Sequence, residues 1–580
     1  KRKKKKNLIY YYDVLVCSNI NSSLTYSHTT SLLEGTIVKV SIRKKLVLGI
    51  IVKIKKRNNT KIKIKEIEAV FFEKRISKRI IDFHKWFSFY NHVSLGLSLK
   101  LFLPNERIVM DALESSLSIE NKTDKVKFTE NQKKILDFIQ NKSSSKKKVI
   151  EKFKKNSSVI KLLIKKNIIF ENKKKIKPEK LINFDNFRLK RLSDAQDKAY
   201  NQIEKKILLD QNKPIFLDGV TGAGKTEIYF KLIKDSIKKK KKVLVLIPEI
   251  ALSQQWLERF KENFNFYPLV WNSQVGIKEK RKIWNSALSE EPLVLVGARS
   301  SLFLPYTNLG LIVIDEENDQ SYKQEEGIIY NARDMAVVKS KIEKCGLILV
   351  SATPSLETYN NCKLNKYDLV KLEERFKGSK HPKTKIIDMK KSKSKIISEK
   401  TESQIKININ KKKQSLILIN RRGYAPVSLC ISCGYKRKCN NCDTNLVYHK
   451  EKNILMCHYC GKIESMEKKC TNCGSKDFVL VGCGLEKVYE EVKKLFKTAR
   501  IIKLSSDTLD KESFIKTLKD IDESKIEIII GTQIISKGFD FKNLQSVFII
   551  DFDMWFNNAD IRTNEKVFQL TQQVAGRAGR

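Results

Sequence analysis

Ile215-Phe216-Leu217-Asp218-Gly219-Val220-Thr221-Gly222-Ala223-Gly224-Lys225-Thr226 runs from an apolar strand into a glycine-rich turn that closes on Gly-Lys-Thr. Glycines at 219, 222 and 224 allow a tight turn whose N–H groups converge on phosphate oxygens. Lys225 then reaches the β and γ phosphates, and the Thr226 hydroxyl can hold Mg2+. The run Glu227-Ile228-Tyr229-Phe230-Lys231-Leu232-Ile233 follows and reads as a helix whose N-terminal dipole faces those phosphates. The strand before and the helix after separate this reading from a glycine-rich turn with no ligand.

Outward from that loop, apolar runs alternate with helical stretches from about residue 185. Val243-Leu244-Val245-Leu246-Ile247, Leu293-Val294-Leu295-Val296, Leu311-Ile312-Val313-Ile314 and Leu347-Ile348-Leu349-Val350 have the near-continuous β-branched and leucine content of a parallel sheet covered on both faces. The rhythm resumes after about 385 with Leu416-Ile417-Leu418-Ile419, Ile526-Glu527-Ile528-Ile529-Ile530 and Ser546-Val547-Phe548-Ile549-Ile550, the strands of a second α/β lobe. The strand Leu311-Ile312-Val313-Ile314 ends in Asp315-Glu316-Glu317. Paired with a phosphate loop upstream, Asp315 is placed to complete a Mg2+ shell, and Glu316 to orient and deprotonate an attacking water. Near the end of the sequence, Gln573-Val574-Ala575-Gly576-Arg577-Ala578-Gly579-Arg580 sets Arg577 and Arg580 on one helical face, from which guanidinium groups can cross a cleft to a γ-phosphate.

A chain of 580 residues needs several cores, and 41% hydrophobic residues can fill them. The net charge of +50 points to a polyanionic partner, most simply nucleic acid, although Lys, Ile and Asn abound together as AT-rich codons would also produce. There is no run of about 18 apolar residues. Lys1-Arg2-Lys3-Lys4-Lys5-Lys6 leads into a first strand with no small-residue cleavage site, so a cytoplasmic protein is expected, and a sequence stopping at Arg580 is expected to be a fragment. Residues 1 to about 105 are rich in short β runs such as Gly35 to Val40 and Leu46 to Ile54, suggesting a small barrel or sandwich. Residues 106–180 carry helical stripes among many lysines, and fit either a winged module or a basic helical linker.

Eight of the 12 cysteines form four pairs at chelating spacing: Cys430 with Cys433, Cys439 with Cys442, Cys457 with Cys460, and Cys470 with Cys473. Eight thiolates imply two zinc sites of four. Disulfides compete, but thiols stay reduced in the cytosol. His449 and His458 lie among the ligands and are able to substitute; Cys17, Cys345, Cys362 and Cys483 read as ordinary residues.

The order of Gly219 to Thr226, Leu246-Ile247-Pro248-Glu249-Ile250, Asp315-Glu316-Glu317, Ser351-Ala352-Thr353-Pro354, Gly531-Thr532-Gln533 with Lys537-Gly538, and Gln573 to Arg580 resembles the superfamily 2 helicases. That resemblance implies two RecA-like parallel-sheet lobes with ATP between them, bound by Gly219 to Thr226. It also gives Gln196, in Leu192-Ser193-Asp194-Ala195-Gln196, the position that contacts adenine. A zinc module just after Asn420-Arg421-Arg422-Gly423-Tyr424-Ala425-Pro426, together with Asp319 to Gly327 and Cys457-His458-Tyr459-Cys460-Gly461, resembles the primosomal protein N′ family of replication-restart helicases.

From this second resemblance the chain is expected to divide into a β-rich 3′-end DNA-binding domain at 1–105, a winged-helix-like domain at 106–180, an ATP-binding helicase lobe at 181–384 and a second lobe at 385–580. The zinc module is inserted at 428–476, and further sequence would complete the second lobe. It implies nested zinc ligation, with Cys430, Cys433, Cys470 and Cys473 in one site and Cys439, Cys442, Cys457 and Cys460 in the other. It further implies a monomeric ATP-dependent 3′-to-5′ helicase on branched and single-stranded DNA, working with primosome proteins, single-stranded-DNA-binding protein and a replicative helicase loader. Tyr322 and Lys323, after the acidic triplet, are candidates to stack on and pair with a single strand.

The sequence also departs from that family. Asn318 and Asn331 stand where it has His, and an asparagine amide hydrogen-bonds but takes up no proton. Tyr26 and Lys65 match its 3′-end pocket, whereas Ser27 and Arg43 replace its Asp and Gly, and Phe539 and Asp540 replace a His pair. Two alternatives follow: a fork-binding scaffold with weak or uncoupled ATPase, and a different superfamily 2 translocase acting on RNA, against which the eight-cysteine module argues.

Overall fold

The strand Ile215–Gly219 lies next to one edge of a seven-stranded sheet in which every pairing is parallel. In order across the sheet the strands are Leu269–Trp271, Val294–Gly297, Lys242–Leu246, Leu309–Asp315, Gly346–Ser351, Ile215–Gly219 and Asp368–Leu372. Side chains alternate between faces, as a strand requires. Val243 and Val245 pack with Ile228, Ile233 and Phe260, while Leu244 and Leu246 face Trp284 and Leu302. Both faces are therefore dry, and each fully buried aliphatic side chain contributes roughly 1.5–3 kcal/mol. Parallel register brings Asp218 level with Ser351, and Asp315 level with Val350, so the phosphate loop, the acidic triplet and Ser351-Ala352-Thr353 all leave the same edge. Ligands of open α/β sheets bind at that carboxyl edge.

These are the coordinates of a computed structural model. It describes residues 9–576 apart from 56–63, 111–112, 120–127, 141–143, 146–148, 150–151, 154–156, 167, 176–186, 210–212, 249–253, 375–381, 393–395, 420–426, 443–444, 450–452, 458, 466–468, 482–483, 505–516, 518, 533–540, 542 and 557–560. Expectations placed on Lys1 to Lys6, Glu249, Ile250, Asn420 to Pro426, His458, Cys483, Gln533, Lys537 to Asp540 and Arg577 to Arg580 lie outside the described residues.

The second lobe is a four-stranded parallel sheet ordered Ile501–Leu504, Ile528–Gly531, Gln414–Leu418, Leu544–Ile549. Helices Glu399–Asn410 and Leu485–Leu495 cover one face, and Thr563–Ala575 packs on Leu418 with Trp555, Val567, Leu570 and Val574. Strands Val427–Cys430 and Phe478–Val481 pair antiparallel and frame an insertion containing the meander Val447–His449, Ile454–Met456, Ile463–Ser465.

The N-terminal part is a six-stranded sheet with order Lys65–Glu66, Leu24–His28, Tyr10–Val16, Lys45–Lys55, Thr36–Ile42, Ala69–Arg75. One face has its own core of Tyr12, Val14, Val38, Val40 and Ile51. The other, through Leu15, Ile37 and Ile50, joins the first lobe's core. The helices Lys78–Tyr90 and Leu95–Phe102 lie inside the stretch read as β-rich; Ser77 and Ser94 cap them by accepting from Ile80 N and Leu97 N. They lock onto the first lobe through stacked and edge-on contacts of Phe83, Phe87 and Phe102 with Phe303, and a bond of 3.2 Å from Trp284 Nε1 to Phe102 O.

Between sheet and lobe, Leu113–Ile119 pairs antiparallel with Ile169–Lys175 and with Ser144–Ser145. Helices Glu130–Gln140 and Ser157–Lys165 close a separate core of Leu117, Ile135, Ile139, Ile160, Leu163 and Ile169. This stretch, for which either a winged module or a basic helical linker was expected, therefore carries strands, helices and a core of its own.

Candidate functional site

The phosphate loop owes its shape to two glycines in the left-handed region, Gly222 at φ 83° and Gly224 at φ 79°. Gly224 is also the N-cap of the helix Lys225–Lys238, and a Cβ there would lie 2.3 Å from Gln196 Nε2. Lys225 Nζ turns back over the loop and donates to Gly219 O at 2.6 Å and Val220 O at 3.4 Å. Gln196, expected to contact adenine, is 2% exposed and braces the loop. Its Nε2 donates to Ala223 O at 2.9 Å, and its Oε1 accepts from Ser193 N at 3.0 Å in a reciprocal capping box with the Ser193 hydroxyl.

At the end of Leu309–Asp315, Asp315 Oδ2 accepts from the Tyr229 hydroxyl at 2.9 Å and Oδ1 from Glu316 N at 3.0 Å. Burial pushes its carboxyl above the ordinary value; the Tyr229 bond and the Lys225 charge oppose that rise. Glu316 stands at φ 47°, left-handed for a non-glycine, a strained turn of the kind found at functional sites. Glu317 is buried and points the other way: it takes Ser355 N at 2.7 Å, the Ser355 and Thr358 hydroxyls at 3.0 and 2.9 Å, and Arg333 Nη1 at 3.2 Å. The first and third carboxylates of the triplet therefore have different duties, one at the open edge and one tying the triplet to the helix Leu356–Lys363 and to Arg333.

Asn318 is bridged on both sides. Its Oδ1 accepts from the Ser351 hydroxyl at 2.9 Å and its Nδ2 reaches Thr353 Oγ1 at 3.4 Å. Thr353 Oγ1 also accepts from Gln573 Nε2 of the second lobe at 3.4 Å. Other contacts join the lobes at the same place: Glu565 Oε1 accepts from Leu356 N at 3.0 Å, Gln569 Nε2 donates to Pro354 O at 3.1 Å, and Arg562 pairs with Glu357. A Cβ on Gly576 would lie 2.3 Å from Thr221 Cβ, so the end of this helix meets the phosphate loop itself. The sequence patterns had singled out Gln573 and Thr353; the parts of Tyr229, Arg333 and Glu317 they had not.

Two expectations for DNA contacts meet a different geometry. Tyr322 is 1% exposed, with its hydroxyl on Leu246 O at 2.9 Å and Asp315 O at 2.5 Å, so its ring is not presented for stacking. Lys323 is exposed and pairs with Glu325 at 3.1 Å. Tyr26 and Lys65 are cross-strand partners, but Tyr26 is buried with its hydroxyl on Ser41 O at 3.1 Å, while Arg43 and Lys44 form a turn with φ 42° and 72° that glycine would adopt more readily. Asn331 caps the helix Ala332–Glu343, its Oδ1 accepting from Arg333 N at 3.0 Å.

The cysteines fall into two clusters: Cys430, Cys433, Cys470 and Cys473, and Cys439, Cys442, Cys457 and Cys460, the nested grouping the family resemblance implied. His449 belongs to neither. In three of the four pairs the chain folds back identically, with Gly434, Gly461 and Gly474 at φ 73°, 76° and 73° and each glycine N–H donating at 2.9 Å to the carbonyl of the first cysteine. Sulfurs approach to 3.6 Å for Cys430 with Cys473, 3.7 Å for Cys433 with Cys470 and 3.6 Å for Cys439 with Cys460. That is far beyond the roughly 2.05 Å of a disulfide and close to the edge of about 3.8 Å of a tetrahedron with Zn–S near 2.3 Å. The donor set fits zinc.

Comparison with known families agrees with this geometry. The DEAD/DEAH box helicase family model matches residues 193–362, the 3′ DNA-binding domain model residues 13–104, and the PriA DNA helicase Cys-rich region model residues 439–464. The replication restart protein PriA of Rickettsia conorii is 46% identical over 428 residues, 73% of this chain and 65% of that protein. That of Bacillus subtilis is 36% identical over 432 residues, 73% of this chain and 54% of that protein. The Chlamydia pneumoniae relative is 33% identical over 596 residues, 98% of this chain and 80% of that protein. The chain thus matches somewhat less than two thirds of the Rickettsia relative, but four fifths of the chlamydial one. On a likeness that runs through the DNA-binding sheet, the helicase lobes and the cysteine module alike, the chain belongs to the family of the replication restart protein PriA.

Proposed function

We propose that this chain is an ATP-driven DNA helicase that recognises stalled or repaired replication forks, opens the lagging-strand arm by moving 3′ to 5′, and starts replication restart by promoting primosome assembly in the cytoplasm. The observation that carries the reading is the meeting of Thr221 with Gly576, which puts the phosphate loop of one lobe against the motif helix of the other. In this reading Gly219 to Thr226 cradle the phosphates, and Lys225 leaves the loop carbonyls for the β and γ phosphates. Glu316 orients the attacking water and takes its proton as the bond to the γ-phosphorus forms and the bond to the ADP oxygen breaks. Thr226 and Asp315 would hold the Mg2+ that accompanies ATP and offsets its phosphate charge. Arg577 and Arg580, directly after Gly576, would stabilise the transferring phosphoryl group.

DNA is the track, held through lysines that neutralise phosphates, and two zinc ions would hold the module between Val427 and Val481. Primosome proteins, single-stranded-DNA-binding protein and a replicative helicase loader are the partners expected from the family, with the chain acting as a monomer. One observation favours a second reading, a fork-binding scaffold with weakly coupled ATPase: Asn318 occupies the link from the acidic triplet to Thr353 without a proton to exchange.

Hydrolysis of ATP with and without forked DNA separates the two readings. Fork DNA is expected to raise turnover several-fold, and Lys225→Ala to lower it by at least about a hundredfold, since a charge aimed at the transferring phosphoryl group is removed. Turnover that fork DNA leaves at the level of Lys225→Ala would end the motor reading.

A further inference from the structure

Asp315, one of the residues placed to hold the metal of an ATP site, is held by a hydroxyl from the helix that follows the phosphate loop. Tyr229 lies one helical turn beyond Lys225 and is fully buried. Its hydroxyl donates to Asp315 Oδ2 at 2.9 Å and accepts from Trp256 Nε1 at 2.9 Å. Proton ownership fixes the direction of these bonds. An indole N–H only donates and a carboxylate only accepts. The Trp256 bond therefore occupies a lone pair of the phenol oxygen, and the single hydroxyl proton is left for Asp315. The other oxygen of Asp315 accepts from Glu316 N at 3.0 Å, which fixes the carboxylate plane. Trp256 is itself fixed, with its ring 5.5 Å from Phe260 in a stack and 5.7 Å from Phe230 edge-on. One oxygen thus joins the strand Leu309–Asp315 to the helices Lys225–Lys238 and Gln254–Phe264.

We propose that Tyr229 is a positioning residue of the ATP site: with its proton steered by Trp256, it holds the Asp315 carboxylate in fixed orientation for the cation that accompanies the nucleotide. The proposal rests on the ATP-hydrolysing reading above. Mg2+ demands near-octahedral oxygen ligands at about 2.0–2.1 Å, so it tolerates little play in the groups that receive it. Burial alone would not supply that orientation, because a carboxylate rotates about its last bond unless each oxygen is held.

The test uses the whole chain and two independent readouts. In the nucleotide-free protein, Tyr229→Phe is expected to lower the unfolding midpoint by roughly 2–8 °C, the loss of one hydrogen bond to a charged group. The same change in an Asp315→Ala background should cost less than half as much. With a fluorescent ATP analogue, Tyr229→Phe should leave binding without Mg2+ within about twofold, while the Mg2+ concentration for half-maximal binding and half-maximal hydrolysis rises about tenfold, the scale of a small misplacement in a binding site. Trp256→Phe keeps the aromatic stack and removes only the N–H, so it should move the Mg2+ midpoints in the same direction by a smaller factor. Equal midpoint losses in the two backgrounds would overturn the proposal, as would a Mg2+ titration of Tyr229→Phe that superimposes on that of the unmodified chain. If the unmodified chain does not hydrolyse ATP, the motor reading fails, and the unfolding comparison still decides whether Tyr229 holds Asp315.

Discussion

At Asn318, where the family it resembles has a histidine, an amide bonds on both sides and carries no titratable proton. Oδ1 takes the Ser351 hydroxyl and Nδ2 reaches Thr353, whose oxygen also receives Gln573 from the second lobe. Asn318→Ala removes both bonds while leaving Asp315 and the phosphate loop in place. Basal ATP hydrolysis is expected to stay within about threefold and stimulation by forked DNA to fall about tenfold, an interaction of roughly 1–1.5 kcal/mol lost between the lobes. Undiminished stimulation would mean that Thr353 and Gln573 communicate by another route. Sequence patterns led to Asn318 because it follows a motif, and misplaced Tyr322 for a similar reason: an aromatic beside a lysine reads as a stacking platform, whereas the hydroxyl of this one is buried and shares its proton between the Leu246 and Asp315 carbonyls. Tyr229 escaped altogether, since nothing in a helical apolar stripe tells a core tyrosine from one whose oxygen meets a carboxylate.

Among the elements, the helix pair Lys78–Tyr90 and Leu95–Phe102 was hidden by its surroundings. Its apolar positions at 80, 81, 83 and 87 have helical spacing, but they sit after strands, and their purpose, packing on Phe303 and Trp284, comes from residues two hundred positions away. The pair is joined by His84, buried with Nε2 on Leu95 O at 2.8 Å and Ser98 Oγ at 2.9 Å, and burial pushes its imidazole down to about 4. The folded chain therefore keeps His84 neutral, while the unfolded chain protonates it near the ordinary value of about 6.5. The stability so conferred is present above that value and is lost as pH falls toward 4. Between pH 7 and pH 5 the chain is expected to lose about 2 kcal/mol that a His84→Gln variant does not. Urea midpoints of the two proteins at both pH values measure it, and parallel pH profiles would refute it. The cysteine knuckles are the opposite case, legible from spacing because chelation is local; only their nested pairing needed the family or the fold. Two zinc ions per chain are expected by metal analysis, one after Cys430→Ser and one after Cys439→Ser, and loss of both metals from either single variant would show that the clusters are not independent.

For the molecule as a whole, the sequence made both sheets legible through their runs of β-branched residues, and the carboxyl edge followed from the position of the phosphate loop. How the lobes face each other did not follow, because the surfaces that meet are polar and short. Leu356 N, the Pro354 carbonyl, Glu357 and Thr353 receive Glu565, Gln569, Arg562 and Gln573; such polar contacts leave no hydrophobic periodicity, and the exposed pair of Arg562 with Glu357 contributes little. The closest approach is steric. Gly576 meets Thr221, where an added Cβ would lie 2.3 Å from Thr221 Cβ and 2.5 Å from its hydroxyl oxygen. Gly576→Ala must therefore push the helix Thr563–Ala575 off the phosphate loop while leaving each lobe's own core untouched. Binding of a fluorescent ATP analogue is expected to stay within about threefold, whereas hydrolysis with forked DNA falls by at least about tenfold, since misplacing groups by an ångström costs on that scale. Removing the opposing methyl and hydroxyl should relieve the clash, so Thr221→Gly added to Gly576→Ala should recover part of the lost turnover even though Thr221→Gly alone lowers it. If the double variant turns over no faster than Gly576→Ala, the two lobes do not meet at this contact during hydrolysis.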